Sequence, residues 1–370
     1  MDLTGPVVAH LVSAGMPADR VDVLAALLGA PELAQAQFVL HLGTGRASHF
    51  GGVQASRVHA PPLRRARAFA VRRELWKKGL FDGRHPLVVH AWTRGAAEWY
   101  LPLAATHRPL LLEVDSEADS RQIAAWSSSA CMGLVCPTLT GQRRLCDLGV
   151  PAARCVLMYP AADHPRHDAA RRSALRAQLR LSDRDCVVTI LPPLTRRSCA
   201  FIAAWAALLF EKVHPEARLL LPFNGCERDR VRRLVAACRH EPVVRCAPAN
   251  IPLPDLLATT DLAAYLPVAD APLSGVAHAM AAGCPIVATQ TPAVREVLQD
   301  GENAWLCRPS DPADAARTML QAIVNPERSR RQADRARALA GTLFAPARLL
   351  HQYRRAYANL AARRPACAND

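Results

Sequence analysis

The sequence predicts an α/β protein made of two doubly wound, Rossmann-like domains. Short apolar runs alternate with helical patterns along most of the chain, which is the βαβ rhythm of a parallel sheet covered on both faces. The 370 residues suit about two domains. The alternation of strands and helices is interrupted once, at PAADHPRH (160–167), a segment that is typical of a linker. We therefore place the domains at 1–162 and 163–345, with a C-terminal helix over 346–370 that packs back toward the first domain.

The elements of the first domain follow this rhythm in order. Its predicted strands are apolar and bounded by turn residues: 7–12, 38–42, 87–91, 110–114, 132–136 and 155–159. Its predicted helices carry apolar residues at helical spacing: 20–29, 63–79, 94–106 and 140–148.

The same alternation resumes in the second domain. Helices are predicted at 170–180, 199–212, 228–238, 255–259 and 311–323, and strands at 186–191, 218–221, 243–245 and 262–266. The last segment, 328–362, is predicted to be helical with an interruption near Pro346.

The segment 270–308 is the most informative part of the chain. A loop leads into a helix of small residues, Ser274–Ala282, which Gly283 and Pro285 end before a short strand at 286–289. This order places the N-terminus of a helix beside a strand end, where backbone N–H groups and the helix dipole favour an anion such as a diphosphate.

Composition narrows the class of protein. The net charge of +14 is compatible with an anionic membrane or a phosphorylated ligand, or with a genome that favours Arg codons. No nucleic-acid-binding motif accompanies it, so we expect no nucleic-acid partner. The 12 cysteines include no C-x-x-C pair, and we interpret them as reduced, buried small hydrophobes, as at Cys186, Cys238 and Cys284.

No long uncharged apolar run predicts a membrane-spanning helix. The N-terminus has an acidic residue where a signal peptide needs a basic one, so we expect a cytoplasmic protein.

The stretch 62–82 alternates apolar and basic residues (PLRRARAFAVRRELWKKGLFD). Such a stretch either lies on an anionic membrane as a peripheral contact, at the inner face, or covers the sheet as an ordinary amphipathic helix with its charges in water.

Seven sequence segments, in the same order, resemble segments of the retaining glycosyltransferases of family 4. These enzymes have the GT-B fold, with a group 1 glycosyltransferase domain as the C-terminal domain. The seven segments are LVVHAWTRGAAEWYLPLAATHRPLLLEVDSE, LGVPAARCVLMYPAAD, HPEARLLL, LLATTDLAAYLP, AMAAGCPIVAT, GENAWLCRPSDPADAA and HQYRRAYANL. The resemblance implies two Rossmann-like domains facing a cleft, with a nucleotide-sugar donor in the second and a glycan or lipid acceptor in the first. It implies no metal and no cofactor.

The family's paired glutamates, eight positions apart, fall on Asp270 and His278. The resemblance gives Asp270 a role at the transferred sugar, and His278 a role at the nucleotide ribose. Ser274 and Gly275 occupy the turn between them and are assigned to donor binding. Each also has a local interpretation: Asp270 as a solvated turn residue, His278 as a packed helix residue, and Ser274 as an N-cap.

The family's diphosphate clamp is altered. Of its two cations, the first falls on Leu191 or Pro192, and the second on Arg196 or Arg197, which hold phosphate or are simply solvated. In the first domain, the glycine pair near the donor phosphates is reduced to Gly15. Asp115, at a strand end, either orients an acceptor hydroxyl or caps a turn.

Two functions follow from the resemblance. The first is a retaining, metal-independent glycosyltransferase, with Asp115, Asp270, Arg196 and Arg197 as catalytic residues and Gly15, Ser274, Gly275 and His278 at the donor. The second is a catalytically inactive relative that serves as a binding or partner subunit, which the substituted positions favour.

Overall fold

The computed structural model describes residues 5–13, 16–43, 49–50, 52–59, 61, 64–80, 86–104, 109–114, 117–126, 132–163, 169–194, 196, 199–222, 227–238, 243–248 and 250–362. The chain forms two compact units, the first made of Met1–Met158 and Ala347–Asp370 and the second of Tyr159–Pro346. The chain thus changes unit after 158 and after 346, where the sequence predicts boundaries at 162 and 345. No described helix combines the length and apolar character that a bilayer crossing needs.

The described strands are β1 (Val7–Ser13), β2 (Ala36–Leu42), β3 (His49–Phe50), β4 (Val53–Gln54), β5 (Ser56–Val58), β6 (Leu87–Ala91), β7 (Leu110–Glu113), β8 (Met132–Cys136), β9 (Cys155–Leu157), β10 (Cys186–Ile190), β11 (Ala217–Leu221), β12 (Val244–Cys246), β13 (Leu262–Tyr265), β14 (Ile286–Thr289) and β15 (Trp305–Cys307).

The described helices are α1 (Ala18–Leu28), α2 (Arg64–Lys77), α3 (Arg94–Ala104), α4 (Glu117–Trp126), α5 (Leu139–Asp147), α6 (Ala169–Gln178), α7 (Ala200–Glu211), α8 (Arg228–Ala237), α9 (Leu253–Ala258), α10 (Ser274–Ala282), α11 (Pro312–Val324), α12 (Pro326–Leu343) and α13 (Pro346–Ala362).

The first unit is built on a parallel sheet with the strand order β5-β2-β1-β6-β7-β8-β9. Every residue of β6 and of β8 is buried, as expected for strands covered on both faces. The order reverses between β1 and β6, so the loops after these two strands diverge and leave a crevice at their carboxyl ends.

The second unit is built on a parallel sheet with the order β12-β11-β10-β13-β14-β15. Counted from the first strand of this unit, the order is 3-2-1-4-5-6, the arrangement of dinucleotide-binding folds. The reversal lies between β10 and β13, which pair in parallel at Val188 and Leu262. The segment that the sequence singles out, α10 and its preceding loop, therefore follows a strand at the reversal.

The sequence predicted β6, β8, α10 and β14 with the limits that the structure gives. It missed β15 and β3 to β5, which are two or three residues long and too short to show a period of two. The prediction that Cys238 is buried was wrong, because this residue caps the end of α8 and faces solvent. Cys246 is also exposed, whereas Cys186 and Cys284 are buried as expected.

A buried polar network joins α13 to the sheet of the first unit. Tyr353 donates its hydroxyl to Oε1 of Glu113 (2.7 Å), and the Tyr357 hydroxyl bonds Nδ1 of His90 (2.9 Å). His90 in turn bonds Oε1 of Glu113 through Nε2 (3.1 Å). All four side chains are buried, so these bonds replace the water that the polar atoms lose.

Charges inside this network are balanced. Burial lowers the pKa of His90 and keeps the ring neutral, so Nε2–H donates to Glu113 and Nδ1 accepts from Tyr357. Burial opposes ionisation of Glu113, but the hydrogen bond from His90 and the charge of Arg20 outweigh it and lower the pKa of the carboxyl group. Glu113 is therefore a buried carboxylate to which α13 supplies a hydroxyl donor.

We predict that Tyr353→Phe destabilises the docking of α13 more than Tyr357→Phe does. The first change removes a hydrogen bond to a buried charge, which contributes about 1.5–3 kcal/mol, and the second removes a bond to a neutral ring, which contributes about 1 kcal/mol. Urea unfolding and hydrogen exchange of the α13 amides measure both effects. Equal losses for the two variants, or a larger loss for Tyr357→Phe, would contradict an ionised Glu113.

Candidate functional site

The first wall of the candidate site is the loop that follows β10. Leu191 donates its backbone N–H to the carbonyl of Ala264 in β13 (2.9 Å), and the carbonyl of Leu194 accepts from the N–H of Glu227 (3.0 Å). Leu194 is fully buried, so the loop is anchored on both sides. Arg196, two residues farther on, is exposed.

The second wall is the N-terminus of α10, which lies against this loop. A Cβ atom built on Gly275 would lie 2.3 Å from the carbonyl oxygen of Pro192 and 3.1 Å from Cβ of Leu191. Real Cβ atoms do not approach a carbonyl oxygen so closely, so only glycine permits this contact. Gly275 thereby sets the distance between the helix terminus and the end of β10.

The prediction that Ser274 is the N-cap of α10 was wrong. The N-cap is Leu273, without a side-chain hydrogen bond, and Ser274 is the first helical residue and buried. The first turn contains no acidic residue. The positive end of the helix dipole is therefore not neutralised by its own side chains, which favours an anion at this terminus.

The third wall is formed by the loops after β13 and β14. Oδ1 of Asp270 accepts a hydrogen bond from the backbone N–H of Ala293 (3.1 Å), and the hydroxyl of Thr289 donates to the carbonyl of Pro267 (2.6 Å). Asp270 is half-buried. It is thus a carboxylate held at the carboxyl end of β13 rather than a solvated turn residue.

Thr291 is a residue at this edge that the sequence reasoning missed. It follows β14, is 3% exposed, and its hydroxyl oxygen has no hydrogen-bond partner among the residues that the structure describes. A buried hydroxyl without a partner is costly, so Thr291 is a further candidate for contact with a ligand. The only signal in the sequence was a hydroxyl residue just past a predicted strand.

The structure brings part of the predicted site together. Asp270, Ser274 and Gly275 lie at the carboxyl ends of the second unit's strands, and Arg196 lies in the loop after β10. His278 is half-buried on α10, one turn after Ser274. Three further predicted site residues, namely Gly15, Asp115 and Arg197, lie outside the described residues. Across the described parts of the chain, no three His, Cys, Asp or Glu side chains are placed to hold a metal ion.

In the first unit, Arg20 was also missed. Its guanidinium donates to the carbonyls of Trp92 and Val114 and forms an ion pair with Glu113 (3.9 Å). These carbonyls follow β6 and β7, so one side chain from α1 ties two strand ends together. In the sequence, Arg20 looked like an ordinary first-turn residue of a helix.

Comparison with known proteins agrees with this architecture. The profile of the family described as Glycosyl transferases group 1 matches residues 193–325, which include the loop after β10 and α10. Among curated proteins, N-acetyl-alpha-D-glucosaminyl L-malate synthase of Bacillus anthracis is 28% identical over 142 residues, 38% of this chain. The match spans 37% of that relative's length.

Solved structures extend the likeness to nearly the whole chain. The Anabaena protein HepE, solved with UDP and glucose, superposes with a TM-score of 0.80 at 18% identity over 96% of this chain and 100% of its own. Sucrose-phosphate synthase from Thermosynechococcus elongatus superposes with a TM-score of 0.75 at 17% identity, covering 96% of this chain and 99% of its own. The chain therefore has the GT-B fold, and residues 193–325, within its second unit, match the profile of the group 1 glycosyltransferases.

Proposed function

We propose that this protein is a glycosyltransferase that moves a sugar from a nucleotide-sugar to a hydroxyl acceptor, a glycan or a lipid, with retention of configuration and without a metal. The second unit holds the donor, and the first unit binds the acceptor. HepE, which shares the fold, was solved with UDP and glucose, and this supports a uridine nucleotide as the first donor to test.

The observation that carries the proposal is the approach of α10 to the loop after β10. It places an uncapped helix N-terminus at the strand reversal of the second unit, where backbone N–H groups can bind the two phosphates of the donor. Arg196 supplies a cation in the same loop, and Asp270 supplies a carboxylate that contacts the transferred sugar. His278 is assigned to a ribose hydroxyl.

We predict that UDP stabilises the protein against thermal unfolding, by about 2.7 kcal/mol at a concentration one hundred times its Kd. Gly275→Ala weakens UDP binding, because the new methyl group pushes α10 away from Pro192. Gly95→Ala is the matched control: Gly95 is also the second residue of its helix, α3, and its built Cβ meets only Thr93 Oγ1 at 3.9 Å. Equal UDP affinity in both variants would exclude α10 as the phosphate site.

We predict that Asp270→Asn lowers kcat at least about tenfold while UDP affinity stays unchanged, since the amide keeps the bond from Ala293 but loses the charge that acts in the transition state. Asp300→Asn is the control, because Asp300 also accepts from a backbone N–H, that of Leu306, but precedes β15. An unchanged kcat in Asp270→Asn would remove this carboxylate from the mechanism. The anomeric configuration of the product, compared with that of the donor, tests retention of configuration.

The alternative is an inactive relative that binds the nucleotide and serves as a partner subunit. His278 in place of a glutamate, and an apolar pair, Leu191 and Pro192, at the position of one clamp cation, favour it. Stabilisation by UDP without transfer or donor hydrolysis supports this alternative. No stabilisation by UDP, GDP or ADP argues against donor binding altogether.

We also propose that the enzyme is peripheral at the inner membrane face, through α2. Phe69 and Trp76 are 68% and 71% exposed, and the exposed Arg72 and Arg73 lie between them on the same face, at i+3 and i+4. Val71 and Leu75, on the opposite face, are fully buried. The exposed face therefore combines aromatic rings with cations, which suits an anionic lipid surface. The ends of the predicted segment, 62–63 and 81–82, lie outside the described residues.

We predict that the protein sediments with vesicles containing phosphatidylglycerol and not with vesicles of phosphatidylcholine alone. Arg72→Glu with Arg73→Glu weakens binding by at least about 30-fold, because each arginine near such a surface contributes about 1 kcal/mol and the new carboxylates are repelled by it. Trp76→Ala weakens vesicle binding because the indole ring no longer inserts into the lipid surface. Arg143→Glu on α5, also exposed, is the control. It changes the net charge half as much as the double variant does, so a loss of half the binding free energy with this control would indicate only a general effect of net charge.

A further inference from the structure

Tyr159, the first residue of the second unit, is bonded to the loop that follows β14. Its hydroxyl donates a hydrogen bond to Oε2 of Glu296 (3.0 Å). The tyrosine is buried, and its ring packs edge-on against that of Phe344, with the ring centroids 6.1 Å apart. Because a buried ring in such contact has little freedom to move, packing fixes the place from which the hydroxyl donates.

The bond from Tyr159 is the first of three hydrogen bonds that lead to Asp270. The backbone N–H of Glu296 donates to the carbonyl of Ala293 (3.3 Å), and the N–H of Ala293 donates to Oδ1 of Asp270 (3.1 Å). Ala293 is the N-cap, and Glu296 the last residue, of a single 3-10 turn, Val294–Glu296. We call this turn the β14 turn. It therefore has a polar partner at each end, the carboxylate of Asp270 at its start and the hydroxyl of Tyr159 at its end.

The β14 turn fixes its own orientation only weakly. A 3-10 turn has poorer hydrogen-bond geometry than an α-helix, and the bond between Glu296 and Ala293 is longer than the usual range for N–H···O. Val294 and Val297 are buried and hold the turn on the core, but apolar contacts have no preferred direction. Directional restraint therefore comes from hydrogen bonds, and Tyr159 supplies one at the end of the turn.

Tyr159 is itself held by the segments through which the chain enters and leaves the second unit. The chain enters at Tyr159 and leaves after Pro346. The N–H of Ala162 donates to the carbonyl of Phe344 (2.9 Å), so the two segments are joined by a backbone bond as well as by the contact between the rings of Tyr159 and Phe344. The anchor of Tyr159 thus does not depend on the loops of the candidate site.

We propose that Tyr159 is a positioning residue for Asp270. Through Glu296, it keeps the β14 turn in the orientation in which the N–H of Ala293 holds the carboxylate for contact with the transferred sugar. The effect on catalysis rests on the proposed function, whereas the positioning itself can be measured without turnover. A carboxylate that is already oriented needs no reorganisation in the transition state, so loosening the β14 turn lowers kcat and leaves donor affinity unchanged.

Hydrogen exchange of the Ala293 amide, followed by NMR in the full chain without substrate, tests the positioning. Tyr159→Phe speeds this exchange at least about tenfold, because a charged acceptor loses its donor and the turn opens more often. Glu296→Ala has the same effect, and combining the two changes adds little, since both remove one bond. Glu296→Gln keeps an oxygen that accepts from the tyrosine, so its exchange stays close to that of the wild type. Tyr357→Phe removes the hydroxyl of another buried tyrosine and, as the control, leaves the exchange of Ala293 unchanged.

Transfer kinetics separate positioning from a general loss of structure. Tyr159→Phe lowers kcat at least about fivefold while UDP affinity stays unchanged, and it adds no further loss to Asp270→Asn, because both changes act on the same carboxylate. A purely structural role would weaken UDP binding as well and would add to the loss in Asp270→Asn. Unchanged thermal unfolding shows that the variant is folded; if Tyr159→Phe unfolds, Glu296→Ala takes its place in both measurements.

Three results would overturn the proposal. They are wild-type exchange of Ala293 in Tyr159→Phe, an equal rise in that exchange in Tyr357→Phe, and a wild-type kcat in Tyr159→Phe when Asp270→Asn is impaired. A wild-type protein that transfers no sugar from any donor contradicts the proposed function instead. In that case the exchange of Ala293 alone decides whether Tyr159 positions Asp270.

Discussion

The second unit depends on one steric constraint, the contact between Gly275 and the carbonyl of Pro192. Any side chain at position 275 would collide with that oxygen, so the backbone of α10 comes closer to the end of β10 than a helix with side chains on that face could. The strand order 3-2-1-4-5-6 leaves a crevice at this point, and the contact aims the positive end of a helix at it. The position of the proposed anion site follows from main-chain geometry alone.

Because the proposed anion site is built from main-chain groups, binding of the anion and catalysis depend on different parts of the chain. Backbone N–H groups and a helix dipole do not depend on which side chains surround them, so an anion site of this kind survives substitution of its neighbours. Stabilising the charge that develops in a transition state also draws on fixed ionic groups, and among the described residues of the proposed site these are few. Asp270 is held by the N–H of Ala293, but His278 stands where relatives in the resemblance carry a glutamate. In the proposed site, the groups assigned to binding are therefore more complete than the groups assigned to the reaction.

The order of helices and strands could be predicted because each buried strand is a short apolar run and each helix repeats its own period. The contacts within the candidate site could not be predicted from the sequence. Gly275 looked like a displaced turn glycine, since sequence spacing contains no information about the carbonyl of Pro192, 83 positions earlier in another loop. Arg20 and Thr291 were missed for the same reason: their partners, or their lack of one among the described residues, exist only in three dimensions. Ser274 was misjudged because capping depends on backbone angles at Leu273.

The exposed face of α2 carries its charges among its apolar residues, and the position of these charges determines what the face can bind. On α2, Arg72 and Arg73 sit between the two aromatic residues, so burying this face against another protein would leave two cations without water, which is costly unless acidic groups meet them. A lipid surface keeps such cations at the level of its phosphates. The exposed face of α2 thus favours the partner that leaves its charged groups solvated or paired.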